Sequence, residues 1–368
     1  MKIAEIRVYQ VDLPLVEGSY AFADGKSVEV FDSTIVEAVA EDGRSGIGEA
    51  CPLGPAYLPA HAAGVRAALG EVAPAVIGMD PREPAKVGAA MDAALLGHGY
   101  AKSALDIACW DLAGQALGAP LCTLLGGRFG EAVELYRAIG QDTPEAMAEK
   151  TAGYREEGYR KFQLKVGGDP GTDVERVRAV AGVLAPSETL VADANCGWLP
   201  TDAARVAAAL AGLDVCIEQP CASYEDCLSV RRRTSLPFIL DEIVDGVPAL
   251  LRARSDLAMD AVNIKIGKVG GLTKARLMRD VCAALGVPMT IEDTWGSDVA
   301  TAAIAHLAHS TPEKLRFSST DFNSYVTVDT AKGAARREGG KIRAPDSPGL
   351  GISLGEAAGR PVAAYSGR

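Results

Sequence analysis

The hydrophobic pattern changes character once along the chain, near residue 131. Before it, residues 1–32 alternate apolar and polar positions, 33–40 read as a second strand, Glu41-Asp42-Gly43 as a turn and 46–50 as a third strand. That is an antiparallel meander. Residues 20–26 read as a loop tip carrying Tyr20 and Phe22. The runs 61–79 and 83–95 then repeat with a helical period, 99–117 is an apolar, Ala-rich helix, and Gly126-Gly127 marks a break.

Beyond the break, short apolar runs alternate with helical ones. Strands are predicted at 132–138, 161–166, 189–194, 214–218, 237–241, 261–266, 287–292 and 314–319, with helices at 143–157, 173–185, 201–212 and 271–285 among those between. Eight strands at this spacing argue for an α/β barrel of the (β/α)8 type rather than an open sheet. The first strand–helix turn, Gly140-Gln141-Asp142, lacks the glycine fingerprint of a dinucleotide fold. Gly167-Gly168 and Gly270-Gly271 read as tight turns. The Pro/Gly-rich tail at 342–352 is predicted to run back onto the N-terminal meander. The expected division is a capping region at 1–127, a barrel at 128–325 and a returning segment at 326–368.

A net charge of −11 argues against nucleic acid or an anionic membrane as partner, because both require a basic face. No apolar run reaches the roughly 18 residues of a membrane span. The start, Met1-Lys2-Ile3-Ala4-Glu5-Ile6, reads as a strand and not as a signal peptide, so the cytoplasm is expected. The eight cysteines form no CxxC pair and read as buried thiols. His306 and His309 read as packing residues.

Five of the barrel's apolar runs end in one ionisable residue: Lys165, Asp193, Glu218, Asp241 and Lys265, at intervals of 28, 25, 23 and 24 residues. Each interval is one βα unit, so all five charges fall on one rim of the barrel, where strand ends converge. Asp193, Glu218 and Asp241 then occupy adjacent strands 3, 4 and 5. Three clustered carboxylates repel unless a cation joins them, and an all-oxygen set suits Mg2+. Lys165 and Lys265, half a circumference apart, would face each other across a ligand. A lysine is an effective base only when its pKa falls toward about 7–8, in the direction that burial and a cation both push. Asn195 and Glu242 stand beside this set.

These residues, with Gly48-Glu49, the helix at 100–112, Leu125-Gly126-Gly127, Glu218-Gln219-Pro220, Asn263-Ile264-Lys265 and Pro348-Gly349-Leu350-Gly351, resemble the enolase superfamily in its muconate lactonizing enzyme branch, the mandelate racemase/muconate lactonizing enzyme family. The resemblance implies a modified (β/α)7β TIM-type barrel with an α+β capping domain formed by the N-terminal region and the C-terminal tail. It implies Mg2+ on Asp193, Glu218 and Asp241, and Lys165 and Lys265 as the catalytic pair. One lysine takes the α-proton of a substrate carboxylate to give an enediolate. Reprotonation from the opposite face gives racemisation or epimerisation, and loss of a β-leaving group gives dehydration. The family's strand-2 motif is Lys-x-Lys, whereas Gln163 stands at its first position here. No His–Asp dyad of the mandelate racemase kind is evident.

The runs 54–61, 97–102 and 293–298 look closest to hydroxyproline betaine and proline betaine 2-epimerases and to cis-3-hydroxyproline dehydratases. Substrate contacts are expected from Tyr20, Tyr57, Gln163, Asn195, Asp293, Trp295, Asp321 and Phe322, with the aromatics offering cation–π faces to a substituted ammonium. The strand-8 triplet Asp321-Phe322-Asn323 retains half of the Asp-x-Asp of dipeptide epimerases, and the strand-8 tryptophan of the betaine epimerases has no match. The expectation is a racemase or epimerase of a proline-like or N-methylated amino acid. A dehydratase, a dipeptide epimerase or a cycloisomerase is the alternative, and a non-catalytic binding protein the distant one. A small-molecule carboxylate substrate and a homo-oligomeric assembly complete the expectation.

Overall fold

The computed structural model describes residues 1–367. The meander consists of β1 (Ile3–Pro14), β2 (Tyr20–Phe22), β3 (Lys26–Val28), β4 (Val30–Ala40) and β5 (Ser45–Ala50). The segment read as a loop tip is a small hairpin, with Tyr20 opposite Val28 and Phe22 opposite Lys26. Strands of three residues are too short for alternation to announce them. β1 and β4 pair antiparallel from Ile3↔Ala40 to Pro14↔Val30, and β5 pairs with β4.

Three helices follow, α1 (Ala62–Val76), α2 (Pro84–Ala94) and α3 (Gly99–Leu117); α1 and α3 pack on this sheet, and α2 packs on the two of them. α3 buries every residue from Tyr100 to Gly114, because β5 closes on it from one side and the barrel from the other. The approach of β5 requires glycine. A Cβ on Gly46 would lie 2.3 Å from the Ala108 carbonyl oxygen, and one on Gly48 1.9 Å from that of Ala104.

After α4 (Leu121–Leu124) and β6 (Val133–Glu134) come β7 (Tyr136–Ile139), α5 (Pro144–Glu156), β8 (Lys161–Lys165), α6 (Pro170–Ala181), β9 (Thr189–Asp193), α7 (Pro200–Ala209) and β10 (Cys216–Glu218). The barrel continues with α8 (Tyr224–Arg231), β11 (Phe238–Leu240), α9 (Val247–Ser255), β12 (Ala261–Lys265), α10 (Ile266–Val269), α11 (Leu272–Leu285), β13 (Met289–Glu292), α12 (Asp298–His309) and β14 (Arg316–Ser319). α5, α6 and α7 each begin with proline and α9 carries Pro248 at its second position, where a fixed φ suits a first helical turn. Thr143 and Asp169 cap α5 and α6 through their side chains.

The strands β7 to β14 form one sheet in sequence order with every neighbour parallel, a nearly closed barrel. A helix follows each strand except β14, so the architecture is (β/α)7β. The chain instead returns to the cap through β15 (Ala331–Lys332), β16 (Lys341–Ile342), β17 (Ser353–Leu354) and β18 (Ala363–Ser366). β16 pairs with β6, and β18 completes the cap sheet in the order β18-β1-β4-β5.

Buried carboxylates join cap to barrel. Glu49 accepts from the N–H groups of Ser297 (3.0 Å) and Ala300 (2.8 Å) at the start of α12, and from the Ser33 hydroxyl (2.6 Å). Asp106 accepts from the N–H (2.9 Å) and hydroxyl (2.5 Å) of Thr273 at the start of α11. Helix N-termini present unpaired N–H groups and a positive dipole end, so anions belong there. Asp111 accepts from Ile47 N–H (3.0 Å) and Leu350 N–H (2.8 Å), tying strand, helix and tail together. His306 and His309 are buried, and all eight cysteines are free. Among the described residues no helix is long and apolar enough to cross a membrane.

Candidate active site

Register puts the rim charges at one level. Lys165 on β8 pairs with Asp193 on β9, and Asp193 with Glu218 on β10. On the other side Lys265 on β12 pairs with Glu292 on β13. β8 and β12 stand four strands apart among eight, so the two lysines face each other across the mouth. All of these side chains are buried.

Each lysine is held by a carboxylate. Lys165 Nζ lies 2.5 Å from Asp193 Oδ2, and Lys265 Nζ lies 2.6 Å from Asp241 Oδ2. Lys265 also donates to the Tyr57 hydroxyl at 2.5 Å, and Tyr57 donates to Asp241 at 3.2 Å. Lys268 reaches the Asp241 carbonyl at 2.6 Å and its carboxylate at 3.1 Å. Burial pushes both rim lysines down, as expected from the sequence. Asp193 beside Lys165 and Asp241 beside Lys265 push harder in the other direction, and both ammoniums end above their ordinary range. Against the burial that would raise it, Lys265 and Lys268 hold Asp241 at about 2.

Glu218 accepts from the Gln163 amide (2.9 Å) and the Asn263 amide (2.8 Å), both at Oε1. Burial, then Asp193 and Asp241, push its carboxyl well up. Gln163, where the resemblance implies a lysine, therefore orients a carboxylate. Asn195 bonds both oxygens of Asp193 through its N–H (2.9 Å) and amide (3.0 Å), and also reaches Glu242 at 3.0 Å. Asn195 Oδ1 and Glu242 Oε2 are buried without a partner. Burial and Asp241 raise Glu242 to about 7.

The donor set suits a hard divalent cation in kind. It is all oxygen, it is crowded enough to raise Glu218, and two further buried oxygens beside it are unmet. Among the described residues no three ligands converge on one metal-sized point, because Asp193 and Asp241 are turned to the ammonium groups.

Tyr20, Tyr57, Gln163, Lys165, Asn195, Lys265, Asp293, Trp295 and Phe322 line one cavity, together with Phe22 of the hairpin. Its volume is about 30 Å³, room for about one water. Asp293 accepts from the N–H groups of Gly267 (2.8 Å) and Thr294 (2.7 Å), and burial raises it to about 7. The cation–π expectation fails for Trp295. Phe31 stacks on its ring at a centroid distance of 4.2 Å and Phe322 at 5.1 Å, so other rings cover its faces. The expected contact Asp321 does not line the cavity. Its carboxyl is buried without a hydrogen-bond partner, and burial raises it to about 6 against the pull of Arg137.

Glu292 and Tyr136 also line the cavity and are not among the residues expected from the sequence. Glu292 Oε1 lies 3.7 Å from Lys265 Nζ, and Glu292 Oε2 accepts from the Tyr136 hydroxyl at 2.5 Å. The signal was present: Met289-Thr290-Ile291-Glu292 is another apolar run ending in a charge, and the strand predicted at 287–292 ends on it, yet the neighbouring Asp293 is the acid expected to meet substrate.

Comparison with known proteins gives two family matches, the mandelate racemase/muconate lactonizing enzyme N-terminal domain over residues 25–126 and the enolase C-terminal domain-like family over 146–358. A cis-3-hydroxy-L-proline dehydratase of Roseibium aggregatum is 58% identical over 100% of both chains. An N-succinyl-L-Arg/Lys racemase of Bacillus cereus is 30% identical over 97% of this chain and 96% of its own. The crystal structure of a member of the enolase superfamily from Roseovarius nubinhibens, complexed with magnesium, superposes with a TM-score of 0.93 at 38% identity, covering 100% of each chain.

Proposed function

Because the chain belongs to the enolase superfamily, in its mandelate racemase/muconate lactonizing enzyme family, we propose that it dehydrates cis-3-hydroxy-L-proline or a close relative of that imino acid. The observation that carries this reading is the 58% identity to a cis-3-hydroxy-L-proline dehydratase along the whole chain. The covered faces of Trp295 support it, since an N-methylated ammonium has no free indole face to meet there.

Lys165 and Lys265 are the proposed acid/base pair, and Asp193, Glu218 and Asp241 the residues that would hold Mg2+. Such a cation would neutralise the carboxylates that keep both lysines protonated and would polarise the substrate carboxylate. One lysine, freed as an amine, takes the α-proton. Gln163 and Asn263 fix Glu218, and Asn195 fixes Asp193, so these carboxylates need little reorganisation as charge grows. Elimination of the 3-hydroxyl leaves an enamine that tautomerises to a cyclic imine, with release of water. The aromatic wall of Tyr20, Phe22, Trp295 and Phe322 excludes bulk water from the enediolate.

The second reading is 2-epimerisation of a proline-like substrate, favoured by the opposition of the two lysines. Proton NMR in D2O with Mg2+ separates the two readings: dehydration consumes one epimer to an imine, whereas epimerisation yields both epimers carrying α-deuterium. Lys165→Ala and Lys265→Ala are each expected to lower kcat by about 10²–10⁴-fold. Full turnover by both variants would refute the mechanism.

A further inference from the structure

We propose that Glu292 is the acid that protonates the departing hydroxyl, recharged through Lys265, and that Lys165 is therefore the group that takes the α-proton. The inference rests on the dehydratase reading and assigns the two faces of that site.

Glu292 ends β13 in register with Lys265 and is 1% exposed. Its two oxygens differ. Oε2 is fixed by the Tyr136 hydroxyl of β7, whereas Oε1 has no hydrogen-bond partner among the described residues and stands 3.7 Å from Lys265 Nζ. Glu292 and both lysines line the same cavity. A buried carboxyl with one oxygen clamped and the other open beside an ammonium can pass a proton inward and receive another from behind. Burial raises its pKa, Lys265 and Lys165 lower it, and Asp241 raises it again. With the Tyr136 bond these leave the carboxyl above its ordinary value, so it carries a proton more readily than an exposed glutamate.

Stereochemistry supplies the rest. In cis-3-hydroxy-L-proline the hydroxyl and the carboxylate share one ring face, so the α-hydrogen lies on the opposite face. Elimination then requires a base and an acid on opposite sides of the ring. Lys165 on β8 stands across the mouth from the Lys265–Glu292 pair on β12 and β13. Lys165 Nζ takes the α-proton, the Cα–Cβ double bond forms as the Cβ–O bond breaks, and the leaving oxygen takes the Glu292 proton and departs as water. Lys165 then releases its proton to solvent, and Glu292 regains one from solvent through Lys265. The site is restored and one water is formed per substrate.

The test uses the Mg2+-loaded enzyme in D2O with cis-3-hydroxy-L-proline, following product and the α-hydrogen of unreacted substrate by NMR. Glu292→Gln is expected to slow product formation by about 10²-fold or more while unreacted substrate still gains α-deuterium at a rate within about tenfold of the wild-type α-proton abstraction. Tyr136→Phe, which frees Oε2, is expected to lower elimination by about tenfold with exchange retained. Parallel loss of exchange and elimination in Glu292→Gln, with the fold intact by circular dichroism, would overturn the assignment, as would elimination within tenfold of wild type. Exchange lost in Lys265→Ala but kept in Lys165→Ala would reverse the faces. A wild-type enzyme that neither exchanges nor dehydrates this substrate would overturn both this inference and the reading beneath it, whereas failure of the Glu292 variants alone leaves that reading standing.

Discussion

A single amide shows how this rim is tuned. Gln163 brings no charge to Lys165 and instead donates to Glu218 at 2.9 Å, sharing Oε1 with Asn263. Gln163→Ala leaves one donor on that oxygen, and Mg2+ affinity is expected to fall about 10–100-fold, measured by calorimetric titration. The rule that located the rim, a charge ending an apolar run, identified five residues because burial on a parallel strand demands continuous apolar sequence and the rim alone tolerates a charge. It missed Glu292 because Glu292 and Asp293 are consecutive acids that both line the cavity, and only the register with Lys265 shows which one stands beside that lysine. The aromatic roles were illegible for a different reason. Whether Trp295 offers a free face depends on Phe31, which arrives from the cap more than 260 residues earlier in the chain.

At the scale of elements, continuous apolar runs declared the barrel strands, even the three-residue β10 and β11, and helical periodicity the helices; the hairpin of β2 and β3 was hidden because it has neither an apolar run nor enough residues to alternate. The joints between elements were equally hidden. His306 on α12 accepts from the Cys122 N–H of α4 at 3.1 Å and donates to the Leu350 carbonyl of the tail at 3.1 Å. Burial lowers its pKa from the ordinary 6.5 to about 4. The folded value lies below the unfolded one, so acid protonates the unfolded chain first. The His306 contribution is complete above pH 6.5 and declines as pH falls toward 4, by about 1.4 kcal/mol per unit. His306→Asn is expected to be less stable at pH 8 by about 1–3 kcal/mol, yet to lose less than wild type between pH 6.5 and 4. Urea unfolding at each of these three pH values checks this. Asp106 and Asp111, each raised to about 6 by burial, act with the opposite sign and cancel in the comparison.

For the whole molecule, cap and barrel are one site in two pieces. A cavity of about 30 Å³ is smaller than an imino acid with its carboxylate, and the hairpin and Tyr57 of the cap form part of its wall. The Tyr57 hydroxyl bonds both Lys265 and Asp241, so a cap residue touches both members of that ion pair. Mg2+ at about 100 times its dissociation constant is expected to raise the unfolding free energy by about 2.7 kcal/mol, read as a higher thermal midpoint. Glu218→Gln should lose most of that gain, and chelation should abolish turnover until Mg2+ is returned. The cap sheet also sets a clock. β1 is synthesised roughly 350 residues before its partner β18, an interval that at about 5–20 residues per second lasts roughly 20–70 s. Throughout that interval the nascent chain holds an open sheet edge along Ile6 and Val8. The barrel residues are all synthesised before their cover is finished, and a chaperone that shields this edge would act on the growing chain, where the finished enzyme offers it nothing to grip.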